Sequence, residues 1–247
     1  MKAIIFAAGM GTRLKPVTDF KPKALTEIGG ITLLELAVNK LIKAGIFDII
    51  INVHHFADQI IQFLKEKNNF GINICISDER DELLDTGGGL IKASWFFNDN
   101  KPFIAYNVDV LSDIDLGNMF ESHKQSHAIA TVAIRNRETS RYLLFDDIMH
   151  LCGWENKKTG ELKIIKGNPD TLTAFAFSGV QILNPKIFSE TKLKGKFSMI
   201  DLYLEIAVYN NIFGFTHNEG YWFDLGKPEN FIEAELMLKY KKVIGNR

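Results

Sequence analysis

The sequence predicts an α/β protein, a Rossmann-like three-layer sandwich with a mostly parallel, mixed central sheet. Two observations predict this class. In the first half of the chain, short apolar runs typical of buried strands alternate with longer segments whose apolar residues recur at helical spacing. In addition, a glycine-containing segment follows the first apolar run directly, as is common at the C-terminal edge of a parallel sheet.

The elements of the first half follow from runs of Ile and Val, from alternation along strands and from the three-to-four-residue spacing of apolar side chains in helices. The predicted strands are 2–7, 47–53, 71–77 and 102–108. The predicted helices are 32–44, 58–67 and 89–97. Gly45 follows the first helix, as a C-terminal glycine does.

The second half has a less regular pattern. The predicted strands are 128–134, 142–145, 161–165 and 174–183. The predicted helices are 199–209 and 229–241, and 156–160 is predicted to be a charged turn. Because no Pro-, Gly- or Ser-rich linker interrupts the chain, we predict one domain over 1–247, with halves 1–110 and 111–247.

The composition excludes several partners. The chain has 247 residues, and 29 Lys plus Arg against 30 Asp plus Glu give a net charge of −1. Such a chain has no overall positive field for nucleic acid or an anionic membrane, so neither is an expected partner. No apolar segment approaches membrane-spanning length and the N-terminal run is too short for a signal peptide, so we expect a cytoplasmic protein. Cys75 and Cys152 are expected to be buried free thiols, and the oligomeric state is left open.

The segment after the first strand, Ala7 to Leu14, carries the first chemical signal. Glycines allow tight turns, and successive backbone N–H groups can then surround phosphate oxygens. The pair Gly9 and Gly11 alone is equally typical of an ordinary strand-to-loop turn. Arg13 and Lys23 change this balance, because a guanidinium fork and a compact ammonium are the usual cationic partners of phosphate.

Two aspartates form the second signal. Asp109 ends a predicted buried strand, and Asp224 follows an aromatic run. Magnesium takes a few carboxylates together with phosphate oxygens and water, so the pair could hold it, although each aspartate could instead cap a turn or a helix. His123 and His127 are spaced four residues apart, but without further ligands they are interpreted as a solvated helix end.

These motifs resemble the signature of the sugar-1-phosphate nucleotidyltransferases. The resemblance covers most of the chain and rests on the segments Ala8 to Thr18, Lys21 to Leu25, Gly29-Gly30, Asn52 to His55, Asp85 to Gly89, Asn107 to Asp109 and Trp222 to Gly226. It implies a reaction of a nucleoside triphosphate with a sugar 1-phosphate that yields a nucleotide sugar and pyrophosphate. It also implies that half 1–110 binds the nucleotide and half 111–247 the sugar phosphate.

The resemblance implies roles for individual residues. The catalytic set is Arg13, Lys23 and Asp109. The nucleotide-binding set is Ala8, Gly9, Gly11, Thr12, Arg13, Lys23, His54, Thr86, Gly87, Gly88 and Asn107. Ser178, Gly179 and Asp224 would bind the sugar substrate, and Asp109 and Asp224 would hold Mg²⁺. His54 could equally be a polar residue at a strand end.

The sequence departs from the family pattern at two positions. Val108 stands where the family usually has glycine, and its side chain could crowd the nucleotide. Asn156 stands where many relatives have the lysine of a Glu-Lys-Pro motif that holds the sugar phosphate. Lys157 or Lys166 could replace that lysine, but we favour the interpretation that both are surface residues.

The substrates are less defined than the reaction. Residues 52–55 and 85–89 most resemble the N-acetylmuramate 1-phosphate uridylyltransferases of cell-wall recycling and the mannose-1-phosphate guanylyltransferases, and the short chain favours the former. The glycines at 87–89 would let the backbone approach the base. Choline-phosphate cytidylyltransferases share the opening loop. A nucleotide-binding regulatory protein without the chemistry is the alternative from another class, but the joint presence of Arg13, Lys23, Asp109 and Asp224 argues against it.

Overall fold

The computed structural model describes residues 1–245, with side chains of the final helix described up to residue 239. The strands are β1 (Lys2–Phe6), β2 (Glu27–Ile28), β3 (Ile31–Thr32), β4 (Asp48–Val53), β5 (Asn73–Asp78), β6 (Phe103–Asn107), β7 (Val110–Ser112), β8 (Ala130–Arg135), β9 (Arg141–Phe145), β10 (Leu151–Asn156), β11 (Glu161–Ile164), β12 (Thr173–Leu183), β13 (Ile212–Thr216) and β14 (Trp222–Asp224). The helices are α1 (Leu33–Lys43), α2 (Ala57–Glu66), α3 (Asp85–Lys92), α4 (Leu116–Ser126), α5 (Ile187–Glu190), α6 (Met199–Ile206) and α7 (Asn230–Gly245).

The chain divides into two compact units. Among the described residues, the N-terminal unit comprises 3–83, 106–113 and 221–245. The central unit comprises residues 1–2, 84–105 and 114–220. Each unit therefore draws on both predicted halves of the sequence, and a functional division at residue 110 stays a prediction.

The N-terminal unit is built on β1, β4 and β5, which are neighbours in that order. β4 and β5 are parallel, with register from Asp48 opposite Asn73 to Val53 opposite Asp78. The apolar side chains of β4 are fully buried, as their Ile-rich sequence predicts. α1 begins where the Thr32 hydroxyl accepts a hydrogen bond from the backbone N–H of Glu35. The parallel strands bring polar residues that follow them to one edge of this unit.

A second, smaller pairing in the same unit joins distant parts of the sequence. β14 runs antiparallel to β7, with Asp224 opposite Val110 and Trp222 opposite Ser112. The backbone N–H of Leu225 also donates to the carbonyl oxygen of Asp109 at 2.8 Å. This pairing brings the segment that carries Asp224 next to the one that carries Asp109.

In the central unit, β11, β10, β9 and β12 are neighbours in that order. β8 pairs antiparallel with β12, and β13 pairs parallel with β8. A shift of register between Phe177 and Gln181 marks a bulge in β12.

The two cysteines are free thiols, as predicted; Cys152 is buried, whereas Cys75 is only half-buried.

The predicted α/β class with a mostly parallel mixed sheet and flanking helices is confirmed. Every strand and helix predicted from the sequence is present, with ends shifted by a few residues. The largest shift is in α3, which begins at Asp85 and so includes the glycines predicted to precede it. Within the described part of the chain, sequence patterns missed two helices and six strands, which are α4, α5, β2, β3, β7, β10, β13 and β14. Among the described residues, no helix has the length and apolarity required to cross a bilayer.

The interpretation of His123 as part of a solvated helix end is wrong. His127 is exposed where α4 ends, but His123 is buried, with only 3% of its surface exposed. Leu116, Met119 and His123 share the inward face of α4, and the His123 Nδ1 lies 2.9 Å from the Thr131 hydroxyl. Burial lowers the pKa of His123 to about 4.

His123 should make the protein less stable as the pH falls below neutrality. Its folded pKa of about 4 lies below its ordinary value of 6.5, so the unfolded chain binds the proton first. The contribution of neutral His123 to the free energy of unfolding is complete above pH 6.5, the ordinary pKa of histidine, and is lost as the pH falls toward 4. About 2 kcal/mol of this stability is lost by pH 5. Urea unfolding at pH 7.5 and pH 5 should show a smaller pH effect in His123→Asn, and equal pH effects in both proteins would contradict this account.

Candidate active site

The loop predicted to bind phosphate starts from a fixed backbone in the N-terminal unit. The N–H groups of Ala7 and Ala8 both donate to the Oδ1 of Asn52, at 2.7 and 3.3 Å. The Ala8 N–H is therefore engaged by the protein in this structure. At Gly9, by contrast, an added Cβ would meet no atom of the described part of the chain within 4 Å, so no contact in that part requires glycine there.

Gly11 is required by the loop itself. It has φ +64°, a conformation that favours glycine, and an added Cβ would lie 2.8 Å from the Cγ2 of Thr18. The carbonyl oxygen of Gly11 accepts hydrogen bonds from the Thr18 hydroxyl at 2.9 Å and from the Leu14 N–H at 2.8 Å. These bonds fold residues 11–18 into a compact turn that carries Thr12 and Arg13 as exposed residues.

Four charged side chains from three segments meet in this unit. Lys23 Nζ pairs directly with Asp109 Oδ2, and the two side chains are only 12% and 17% exposed. Arg13 Nη1 lies 3.4 Å from Asp224 Oδ2. The structure thus brings together all three residues of the predicted catalytic set and both predicted metal ligands, as two cation–carboxylate pairs.

Gly226 lies beside three of these four charged side chains. A Cβ added there would be 2.6 Å from Lys23 Nζ, 2.7 Å from Arg13 Nη2 and 2.7 Å from Asp224 Oδ1. The Gly226 N–H also donates to Asp224 Oδ1 at 2.9 Å. Sequence analysis noted Gly226 only as part of a motif and did not assign it to the site. The signal in the sequence that could have identified Gly226 is its position two residues after Asp224.

Replacing Gly226 by alanine should impair activity without unfolding the protein. The added methyl group would contact the ends of flexible side chains, which can move aside at little cost in stability. Lys23 and Arg13 belong to the predicted catalytic set, so moving them from their positions should lower kcat about tenfold or more, because small displacements of catalytic groups are costly. The measurement is kcat and thermal unfolding of Gly226→Ala beside the wild type. An unchanged kcat would show that the placement of Lys23 and Arg13 does not require a glycine at position 226.

The two aspartates suit magnesium as far as their chemistry goes. Their carboxylates are partly buried, lie on paired segments and are held near cations that substrate phosphates could engage instead. Among the side chains that the structure describes, up to residue 239, no group of three or more His, Cys, Asp or Glu could hold a metal. A magnesium ion bound by Asp109 and Asp224 would therefore take its remaining ligands from phosphate oxygens and water, as magnesium usually does in proteins.

His54, Asn107 and Val108 also belong to the N-terminal unit. His54 Nδ1 lies 2.6 Å from the carbonyl oxygen of Glu79, and both His54 and Asn107 are half-buried. Val108 is buried, with 5% of its surface exposed, and its N–H donates to the Phe6 carbonyl at 3.2 Å. The Val108 side chain is thus part of the core, and the backbone at this strand end is held in place.

Thr86, Gly87 and Gly88 lie in the central unit, at the start of α3. The N–H groups of both glycines donate to the carbonyl oxygen of Phe197, and the Thr86 hydroxyl accepts from the Met199 N–H. A Cβ added at Gly88 would be 2.2 Å from the Gly195 carbonyl oxygen. In this structure, the absence of side chains at Gly87 and Gly88 therefore lets the start of α3 pack closely against the backbone of residues 195–199.

Ser178 and Gly179 also belong to the central unit and lie in the bulge of β12. Gly179 has φ +75°, and Ser178 is buried with its hydroxyl 2.7 Å from His217 Nε2. The charged turn predicted at 156–160 is present between β10 and β11. At this turn Lys157 lies 3.5 Å from Glu155 and over the ring of Tyr142, so its ammonium contacts neighbouring surface side chains.

Comparison with known proteins gives a consistent set of similarities. Residues 2–241 match the family model described as nucleotidyl transferase. A mannose-1-phosphate guanyltransferase of Yarrowia lipolytica is 30% identical over 236 residues, covering 95% of this chain but 63% of that protein. An N-acetylmuramate alpha-1-phosphate uridylyltransferase of Caulobacter vibrioides is 29% identical over 248 residues, covering 96% of each chain. The chain thus spans less than two thirds of the guanyltransferase.

Solved structures share the fold. The crystal structure of HddC from Yersinia pseudotuberculosis complexed with GMP-PN has a TM-score of 0.78 and 25% identity, covering 96% of this chain and 99% of that one. A putative glucose-1-phosphate thymidylyltransferase from Bacillus anthracis, crystallised with sucrose, has a TM-score of 0.80 at 22% identity, covering 96% and 94%.

Proposed function

The chain belongs to the nucleotidyl transferase family, and we propose that it transfers a nucleotidyl group from a nucleoside triphosphate to a sugar 1-phosphate. The resemblance drawn from the sequence motifs is confirmed at the level of the family. The observation that carries the proposal is the meeting of Arg13, Lys23, Asp109 and Asp224 near Gly226. Two cations and two carboxylates at one point suit a reaction between phosphates.

The proposed chemistry is one in-line displacement. An oxygen of the sugar phosphate attacks the α-phosphorus, the new P–O bond forms, and the bond to the β-phosphate oxygen breaks to release pyrophosphate. The protein's contribution is positioning and neutralisation of charge. Lys23 would stabilise the α-phosphoryl group, and Arg13 the departing pyrophosphate. Asp109 and Asp224 would hold magnesium, which when bound would supply positive charge to the phosphate oxygens.

The ion pairs suggest how substrate enters this site. Each cation is matched by a carboxylate, so the charged groups are neutralised without ligand. On binding, triphosphate oxygens would replace the carboxylates as partners of Lys23 and Arg13. The open space at Gly9 supports a close approach of phosphate to the loop, since no contact among the described residues accounts for a glycine there.

For the substrates we propose UTP and N-acetylmuramic acid 1-phosphate, in cell-wall recycling in the cytoplasm. The support is that the uridylyltransferase relative matches over 96% of its own length. Mannose-1-phosphate guanylyl transfer is the second candidate, favoured by the 30% identity to the Yarrowia enzyme. Choline-phosphate cytidylyl transfer and a regulatory protein that only binds nucleotide are further alternatives.

One assay separates these candidates. Pyrophosphate release would be measured with magnesium for UTP, GTP, CTP and dTTP, each with N-acetylmuramic acid 1-phosphate, mannose 1-phosphate, glucose 1-phosphate or phosphocholine. We expect the highest kcat/KM with UTP and N-acetylmuramic acid 1-phosphate, and loss of activity with EDTA. A maximum with GTP and mannose 1-phosphate would replace the proposed substrates. Nucleotide binding without release from any pair would favour the regulatory alternative.

A further inference from the structure

Asn52 and Glu79 form a buried polar pair beneath the start of the loop. Asn52, near the end of β4, is 2% exposed, and Glu79, directly after β5, is fully buried. The Asn52 Nδ2 donates to Glu79 Oε1 at 2.8 Å, while the Asn52 Oδ1 accepts from Ala7 and Ala8. One amide side chain therefore connects a buried carboxylate to the two residues that precede Gly9.

The hydrogen-bond partners on both sides agree on which way the amide points. The backbone N–H groups of Ala7 and Ala8 only donate, so they require Oδ1 of Asn52 and leave its Nδ2 group to donate to Glu79. Glu79 is itself held, because its N–H donates to the Val53 carbonyl at 2.8 Å and its carbonyl oxygen lies 2.6 Å from His54 Nδ1. Burying a polar side chain of this kind is costly unless its hydrogen-bond partners are well placed.

The backbone that Asn52 holds is also connected to the segment that carries Asp109. Residues 6–8 are held on one side by Asn52 and on the other by the Val108 N–H, which donates to the Phe6 carbonyl at 3.2 Å. Val108 directly precedes Asp109, which pairs with Lys23 from the loop. A shift of residues 7 and 8 would therefore move the loop relative to the carboxylate that its lysine contacts.

We propose that Asn52 and Glu79 are positioning residues for nucleotidyl transfer, which set the backbone at Ala7 and Ala8 and thereby the placement of the loop. The inference rests on the proposed function. Neither side chain contacts substrate in this account, and both act through the loop backbone.

The test reverses the polarity of the pair. In Asn52→Asp, one carboxylate oxygen still accepts from Ala7 and Ala8, but the other cannot donate, so Glu79 Oε1 loses the hydrogen bond that it receives from Asn52. In the double variant Asn52→Asp/Glu79→Gln, the new amide at position 79 can donate to the new carboxylate, so the network is rebuilt with the roles exchanged. Asn73→Asp is the matched control, because Asn73 donates to Asp48 at 2.9 Å on the exposed surface.

Three readouts are compared: kcat and KM for the triphosphate, the affinity for UTP with magnesium by calorimetry, and hydrogen exchange of the amides at 7 and 8. We expect Asn52→Asp to speed exchange and to lower UTP affinity and kcat about tenfold or more. The double variant should recover all three readouts to within about threefold, because the effects of substitutions at two residues in contact need not add. Asn73→Asp should match the wild type.

Two results would overturn the proposal. One is an Asn52→Asp protein that is less stable but has unchanged kcat and UTP affinity, which would make the pair purely structural. The other is a double variant that regains stability but not turnover. If the wild type itself shows no turnover with any substrate pair, the proposed function fails, while amide exchange and UTP affinity still decide whether the pair positions the loop.

Discussion

Lys23→Ala is expected to lower kcat by about 100-fold or more while the protein remains folded. Removing a group that stabilises charge developing in a transition state typically has an effect of this size. Lys23 is suited to that role, because its ammonium is largely shielded from solvent and is directed at Asp109 rather than at the surface. In the proposed reaction, that charge would act on the α-phosphoryl group, where bonds form and break.

Lys21→Ala is the matched control. Lys21 lies two residues earlier in the same loop, but its side chain is 36% exposed and its nearest carboxylate, Glu27, is 4.0 Å away. Exposed pairs of this kind contribute little to stability, so kcat and the unfolding temperature should stay near wild type. Comparable turnover in Lys23→Ala and Lys21→Ala, measured at saturating substrates with circular dichroism to confirm folding, would remove Lys23 from the proposed mechanism.

The strand ends and the glycine loop of the site could be predicted from the sequence, because each is determined by residues that are adjacent along the chain. A run of buried apolar residues marks most of a buried strand, so the Ile-rich run of β4 and the apolar run before Asp109 predicted both strand ends closely. The glycine loop and its cations are contiguous along the chain, and their meaning follows from the chemistry of phosphate.

Contacts between distant segments could not be predicted in this way. The need for glycine at 226 depends on the tips of Lys23 and Arg13, about two hundred residues earlier in the chain. The role of Asn52 depends on the backbone at Ala7 and Ala8 and on a carboxylate beyond β5. α4 was missed for a different reason, since its inward face contains a histidine, which a hydrophobic pattern counts as polar.

Asp109→Asn should lower kcat about as much as Lys23→Ala, by about 100-fold or more, because the carboxylate serves two partners. Asparagine keeps the shape of the side chain but removes the charge that faces Lys23 and that would hold magnesium. Asp115→Asn is the control, since Asp115 accepts the Asn118 N–H as a helix cap and asparagine caps equally well. Its kcat should match the wild type.

The magnesium dependence of the variants separates the two functions of Asp109. If the carboxylate only held Lys23, then Asp109→Asn would lose turnover with an unchanged half-saturating magnesium concentration. If it is a metal ligand, that concentration should rise, and Asp224→Asn should raise it as well, whereas Lys23→Ala should not. Because Lys23 and Asp109 contact each other, the double variant should lose much less than the product of the two single effects. Fully multiplicative losses, with no change in magnesium dependence, would mean that the two residues act separately and that Asp109 binds no metal.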